Sequence, residues 1–137
     1  MGKFNNIVDL TADEEVEKEG IELSFGKGRF ITIVRSGATN RKYKSTMARV
    51  FKPYLSVSGV VSASDEEATE LLHKVYSETV VIGWKGFKDN ADKDMPFSAK
   101  HCMELFKEAP EVFEHVKLEA EKFSNFARRD EQEAGKE

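Results

Sequence analysis

The spacing of apolar residues changes along the chain and divides it into elements. Over 20–35, GIELSFGKGRFITIVR, the residues Ile21, Leu23 and Phe25 alternate with polar ones, and 30–34 is β-branched and aromatic. Alternation of this kind predicts two strands, and Gly26-Lys27-Gly28 between them supplies positions that tolerate positive φ, so the segment reads as a β-hairpin. From Arg41 the period lengthens. Tyr43, Met47, Val50, Phe51 and Tyr54 recur at helical spacing behind a capping Asn40, and Pro53 stops or bends that helix. Residues 56–63 are small and β-branched and read as a linker. Ser64-Asp65-Glu66-Glu67 then forms a capping box. The helix behind it carries Ala68, Leu71, Leu72, Val75, Tyr76, Thr79 and Val80 on one face and is expected to end near Gly83 or Gly86. The stretch SETVVIGWKGF is thus read as a helix end turning a structural corner made by Trp84, Gly86 and Phe87. Trp84 and Phe87 are expected to be buried against Val75, Val80 and the final helix. A polar loop covers 88–97, and Ser98 caps a short helix with Cys102, Leu105 and Phe106. Pro110 opens a longer helix whose apolar seam is Phe113, Val116, Ala120, Phe123 and Ala127.

The pattern predicts an α+β fold: an N-terminal β-hairpin followed by a mainly helical bundle of three to four helices. One domain is expected over 20–128, between an acidic N-terminal arm at 1–19 and a charged C-terminal tail at 129–137. Within the arm, Thr11-Ala12-Asp13-Glu14 offers a second capping box, and a flexible arm is the equal alternative. A chain of 137 residues can bury a core without staples. Its single cysteine, Cys102, excludes an internal disulfide and points to a reducing, cytoplasmic setting. No apolar run approaches the roughly 20 residues that a membrane span needs, and the N-terminus lacks the apolar run of a signal peptide.

Net charge is −4, but it is unevenly placed. Between Leu23 and Ser64 there is no acidic residue, while Lys27, Arg29, Arg35, Arg41, Lys42, Lys44, Arg49 and Lys52 stand there. A basic block with interleaved aromatics is the footprint of nucleic-acid binding. Here Tyr43, Phe51 and Tyr54 fall on the buried face of the helix, so nucleic acid is not the expected partner. The block reads as a solvated helix face near acidic segments, with Arg41, Lys44 and Arg49 as candidate contacts to a protein.

Nothing in the chain makes a catalytic, metal or cofactor motif. His73, His101 and His115 have no paired ligand spacing, and His101 and Cys102, being adjacent, point about 100° apart on a helix. The 89–94 stretch fails as a calcium loop. Counted from Asp89 it puts Ala91 and Lys93 at ligand positions; counted from Asn90 it puts Met95 where glycine is required. Gly26-Lys27-Gly28 precedes a strand, whereas a phosphate loop precedes a helix. The expectation is a protein that is not an enzyme and holds no metal or cofactor.

The order of short motifs resembles the tail assembly chaperones of long-tailed bacteriophages. The likeness runs through 19-EGIEL, 35-RSG, 40-NRKYK, 52-KPY, 76-YSETVVIGWKGF, 96-PFS, 105-LF, 110-PEVF and 125-NFARR, and so covers about 19–130. It departs from that pattern at Gly83, where the family often has Asp, and in 89–94, which lacks a common Gly. The resemblance implies a non-enzymatic protein that keeps the tape measure protein soluble in the host cytoplasm while tail tube subunits assemble, and that is absent from the finished virion. It implies further partners: a longer form made by ribosomal frameshifting, the tail tube protein, and further copies of itself. The alternatives in other classes are a small structural tail protein of the completion or connector type and a nucleic-acid-binding regulator. The client contact is expected on the C-terminal helix, at Phe123 and Phe126 near its end, and next on the basic helix.

Overall fold

The computed structural model describes residues 2–37, 39–55 and 62–128. The C-terminal tail expected at 129–137 and most of the linker expected at 56–63 lie outside the described residues. Strands β1 (Ile21–Ser24) and β2 (Phe30–Ile33) pair antiparallel, with Ile21 opposite Ile33 and Ser24 opposite Phe30. Between them Gly26, Lys27 and Gly28 all have positive φ, which makes the hairpin turn that their composition suggested. Helix α1 (Glu14–Glu19) precedes the hairpin; α2 (Arg41–Phe51), α3 (Asp65–Thr79), α4 (Ala99–Glu108) and α5 (Pro110–Glu121) follow it. The fold is α+β, a hairpin followed by a helical region of four helices.

The segment after α3 corrects the sequence reading. Helix α3 stops at Thr79, and 81–85 is not a helix end but a third strand, β3 (Val81–Lys85). It pairs antiparallel with β2, so the sheet order is β1-β2-β3. The physical reason is local and tertiary together. Val80, Val81 and Ile82 are three consecutive β-branched residues, which suit a pleated surface better than a helix. The free edge of β2 offers them a ladder, and a bulge between Thr32 and Ile33 adjusts the register.

The helix starts are as expected from their caps. Ser64 accepts from Glu67 N–H (3.2 Å) while the Glu67 carboxylate accepts from Ser64 N–H (3.4 Å). Asn40 caps α2 by accepting from Tyr43 N–H, and Ser98 caps α4 by accepting from His101 N–H. Pro53 lies in a 3-10 turn, Lys52–Tyr54, that ends α2. The N-terminal box is shifted. Asp13 is the cap of α1, and the Thr11 hydroxyl instead donates to Val8 O. Helix α5 is shorter than its seam suggested. It ends at Glu121, where Asn125 Nδ2 donates to the Glu119 carbonyl (2.8 Å) and folds the following residues into a 3-10 turn, Phe123–Asn125.

The core joins the sheet to the helices. Leu23, Ile31, Ile33 and Val81 from the strands meet Tyr76, Cys102, Phe106, Phe113, Val116 and Ala120 from α3, α4 and α5. The N-terminal segment is laid on this body by main-chain pairing. Asp13 N–H donates to Phe126 O (2.7 Å), Arg128 N–H donates to Thr11 O (2.8 Å), and Ala12 bridges to Ala127.

Candidate functional site

The basic face begins with the placement of α2. Asn40 holds its start: beyond capping α2, its Nδ2 donates to Arg35 O and Thr79 O, tying the helix to the end of β2 and to the end of α3. Tyr43 then packs edge-on against buried Tyr76 at 5.7 Å. Thr46 and Val50 are buried beneath the helix, so Arg41, Lys42, Lys44, Arg49 and Lys52 point to solvent. Arg49 pairs with Glu78 at 3.6 Å. Of the three sequence-predicted contacts here, Arg41 and Lys44 stand exposed and free of ion pairs among the described residues, while Arg49 is partly engaged. The aromatics of the block are turned inward or half-buried, which leaves no stacking platform beside the charges.

The C-terminal contacts do not both survive. Phe126 is fully buried, with 0% of its surface exposed, so it is a core residue and not a contact to a partner. The reason is the early end of α5: the chain turns at Asn125 and swings Phe126 inward, under the N-terminal segment that pairs with its carbonyl. Phe123 is half-buried, and the Arg35 guanidinium covers its ring at 5.0 Å. Arg35 is itself held by Glu17 at 3.5 Å. Phe113, Val116 and Ala120 are buried within the chain.

The corner is built differently from the expectation. Trp84 and Phe87 are half-buried against the core, and the Trp84 ring packs on Phe87 (4.9 Å) and Phe97 (5.4 Å). Its Nε1–H donates to Met95 O at 2.8 Å, pinning the 88–97 loop to the strand. This follows from its being a strand residue, cross-strand partner of Ile31. Gly86 has φ +85°, and a Cβ there would collide with the Gly28 carbonyl, so this glycine lets β3 pass the hairpin turn. The 89–94 loop is a turn held by Asp89, whose side chain accepts from Ala91 N–H and Lys93 N–H.

The ionisable groups are dispersed. His73 is buried against Phe113 (4.5 Å) and Phe106 (5.5 Å), and burial lowers its pKa against the opposing pull of Glu70 and Glu114. His115 is exposed beside the Phe25 ring, and His101 Nδ1 meets Pro96 O. Burial pushes the Cys102 thiol up to about 12. No group of three His, Cys, Asp or Glu among the described residues could hold a metal ion.

Two surfaces escaped the sequence reading. The N-terminal segment exposes Phe4 (72%), Val8 and Leu10 (67%). Their presence in an otherwise polar arm was the available signal. The second surface is a groove of about 900 Å³ between the first half of α3 and α4 with the start of α5. Only the packing of α3 against α4 creates it, so no local signal announced it.

No helix among the described residues is long and apolar enough to cross a membrane. No curated protein and no solved structure matches the chain. A protein-family model described as YdaY prophage protein matches residues 38–137, from the loop before α2 onward. The chain is therefore phage-derived and belongs to the YdaY prophage protein family.

Proposed function

We propose that this prophage protein is a non-enzymatic tail assembly chaperone that keeps a long helical client, the tape measure protein, soluble during tail morphogenesis. The observation that carries the reading in the structure is the N-terminal segment. It holds Phe4, Val8 and Leu10 in water while main-chain bonds from Thr11 and Asp13 fix its base to the body. Leaving three large apolar side chains exposed within seven residues has a cost that a partner's apolar surface relieves, at about 25 cal/mol per Å² covered. A client helix with an unprotected apolar stripe supplies such a surface. The motif order shared with the tail chaperones over 19–130, together with the prophage family, supports the same reading.

The contact assignment changes accordingly. Phe126 leaves the contact set because it is core. The apolar contact falls to the arm, and exposed Arg41 and Lys44 add charge on a separate face. The test is co-expression of the full chain with a tape measure fragment that aggregates alone. Wild type should hold the fragment in the soluble fraction, and Phe4→Ser with Leu10→Ser should lose that effect while keeping the wild-type melting temperature. A fragment that stays insoluble with wild type overturns the chaperone reading. Finding the protein built into purified particles would favour the small structural tail subunit instead.

A further inference from the structure

We propose that the groove between α3 and α4 receives the basic face of α2 from a second copy of this chain, giving head-to-tail self-association. The groove rim is acidic: Asp65, Glu66 and Glu70 come from α3, and Glu104 from α4, against one Lys107. Its floor is apolar, with Met103 half-buried and Phe106 fully buried beneath it. Among the described residues none of those four carboxylates takes part in an ion pair. The same holds for Arg41, Lys42, Lys44 and Lys52 on α2. Among the described residues the chain thus carries an acidic groove and a basic helix face whose charges, Arg49 apart, make no ion pair.

A second observation points into the groove. His73 is 7% exposed and lines it, yet makes no side-chain hydrogen bond among the described residues. Its ring nitrogens are not sealed from solvent. Burial favours the neutral ring, in which one nitrogen can accept a bond from a lysine or arginine of an incoming helix.

The geometry demands a second copy. Helices α2 and α4 both pack on α3, and Arg41, Lys42, Lys44 and Lys52 are exposed on α2 opposite its buried Thr46 and Val50, so a chain's own α2 face cannot enter its own groove. Spacing fits as well. Glu66 and Glu70 lie one helical turn apart, about 6 Å of rise, and Arg41 and Lys44 lie three residues apart on the exposed side of α2. Because the two surfaces differ, the contact is heterologous and extends into rings or open chains. Association of this kind weakens with salt, since the screening length falls from about 30 Å at 0.01 M to about 3 Å at 1 M.

The experiment is sedimentation velocity of the full chain, up to about 1 mM protein. Wild type should form dimers and larger species in buffer of about 0.01 M ionic strength and revert to monomer at about 1 M. Glu70→Lys with Glu104→Lys should remain monomeric at low salt, and so should Arg41→Glu with Lys44→Glu. A mixture of these two variants should associate again, because the reversed groove accepts the reversed helix. Should the lysine pair unfold the chain, as read by circular dichroism, Glu70→Gln with Glu104→Gln takes its place and should weaken association at least several-fold. A wild type that is monomeric throughout overturns the proposal. So does association that survives both reversals, or a mixture of folded variants that stays monomeric. No client is present, so the outcome is independent of the chaperone reading.

Discussion

Replacing Phe126 by alanine is the sharpest test of how the C-terminal end of the domain is held. The ring is fully buried, its carbonyl accepts from Asp13 N–H at 2.7 Å, and its amide donates to Phe123 O. Removing a fully buried phenylalanine costs about 3–5 kcal/mol when the cavity cannot collapse. Collapse is hindered here because the N-terminal segment above the ring is tied at both Thr11 and Asp13. Against a total stability of about 5–15 kcal/mol, the loss is a large fraction. For a domain of this size it should lower the melting temperature by roughly 10–20 °C. Phe123→Ala is the internal control. That ring is half-buried and gives up mainly its contact with the Arg35 guanidinium, at most about 1–2 kcal/mol. Urea and thermal unfolding of the two variants give the comparison. A Phe126→Ala variant within about 0.5 kcal/mol of wild type would refute the burial argument and return Phe126 to the set of exposed contacts.

Three further outcomes are expected. Gly86→Ala should lower the melting temperature more than Gly26→Ala, although both glycines have positive φ; only at Gly86 does the added carbon strike backbone, so equal effects would remove the close-approach argument. Unfolding free energy should be insensitive to His73 above its ordinary value of 6.5 and should fall as pH drops below it, because the unfolded chain takes up the proton first; His73→Phe should flatten that part of the profile between about pH 7 and pH 5. Cys102 is fully buried, with a thiol pushed up to about 12, so a thiol reagent should label it only as fast as the domain opens, with label appearing fully in denaturant.

What the sequence revealed follows from the range of the interactions involved. The hairpin and the starts of α2, α3 and α4 were legible because their causes lie within a few residues: alternation at Ile21, Leu23 and Phe25, and side-chain caps at Asn40, Ser64 and Ser98. The errors share a different cause. Trp84 continues the apolar spacing of α3 by one turn, and only the free edge of β2 decides that 81–85 pairs as a strand. Likewise Phe123 and Ala127 continue the seam of α5, and a single cap by Asn125 ends the helix before them. The candidate contacts suffered in proportion. Arg41 and Lys44 were placed at the surface by charge, which burial rarely hides, whereas Phe126 was placed by a helix that stops five residues earlier. The acidic groove arises from two helices distant in sequence, so no window of the chain contained it.

The boundary of the family match bears on where function resides. The match begins at residue 38, which leaves out α1, β1 and β2. Yet Leu23, Ile31 and Ile33 from those strands are buried in the same core as Tyr76, Phe106 and Phe113. Burying three such side chains contributes about 5–9 kcal/mol, comparable with the whole stability of a domain. Strand β3 also has β2 as its ladder partner and would otherwise present a bare edge of β-branched residues. Residues 20–37 are therefore structural partners of the matched region. The segment from 2 to 10 is different: none of its residues is in the buried core, and it carries Phe4, Val8 and Leu10 outward. The arm thus lies outside the buried core and exposes Phe4, Val8 and Leu10, which is why, under the proposed chaperone role, it is the place to test for client binding ahead of the α5 seam.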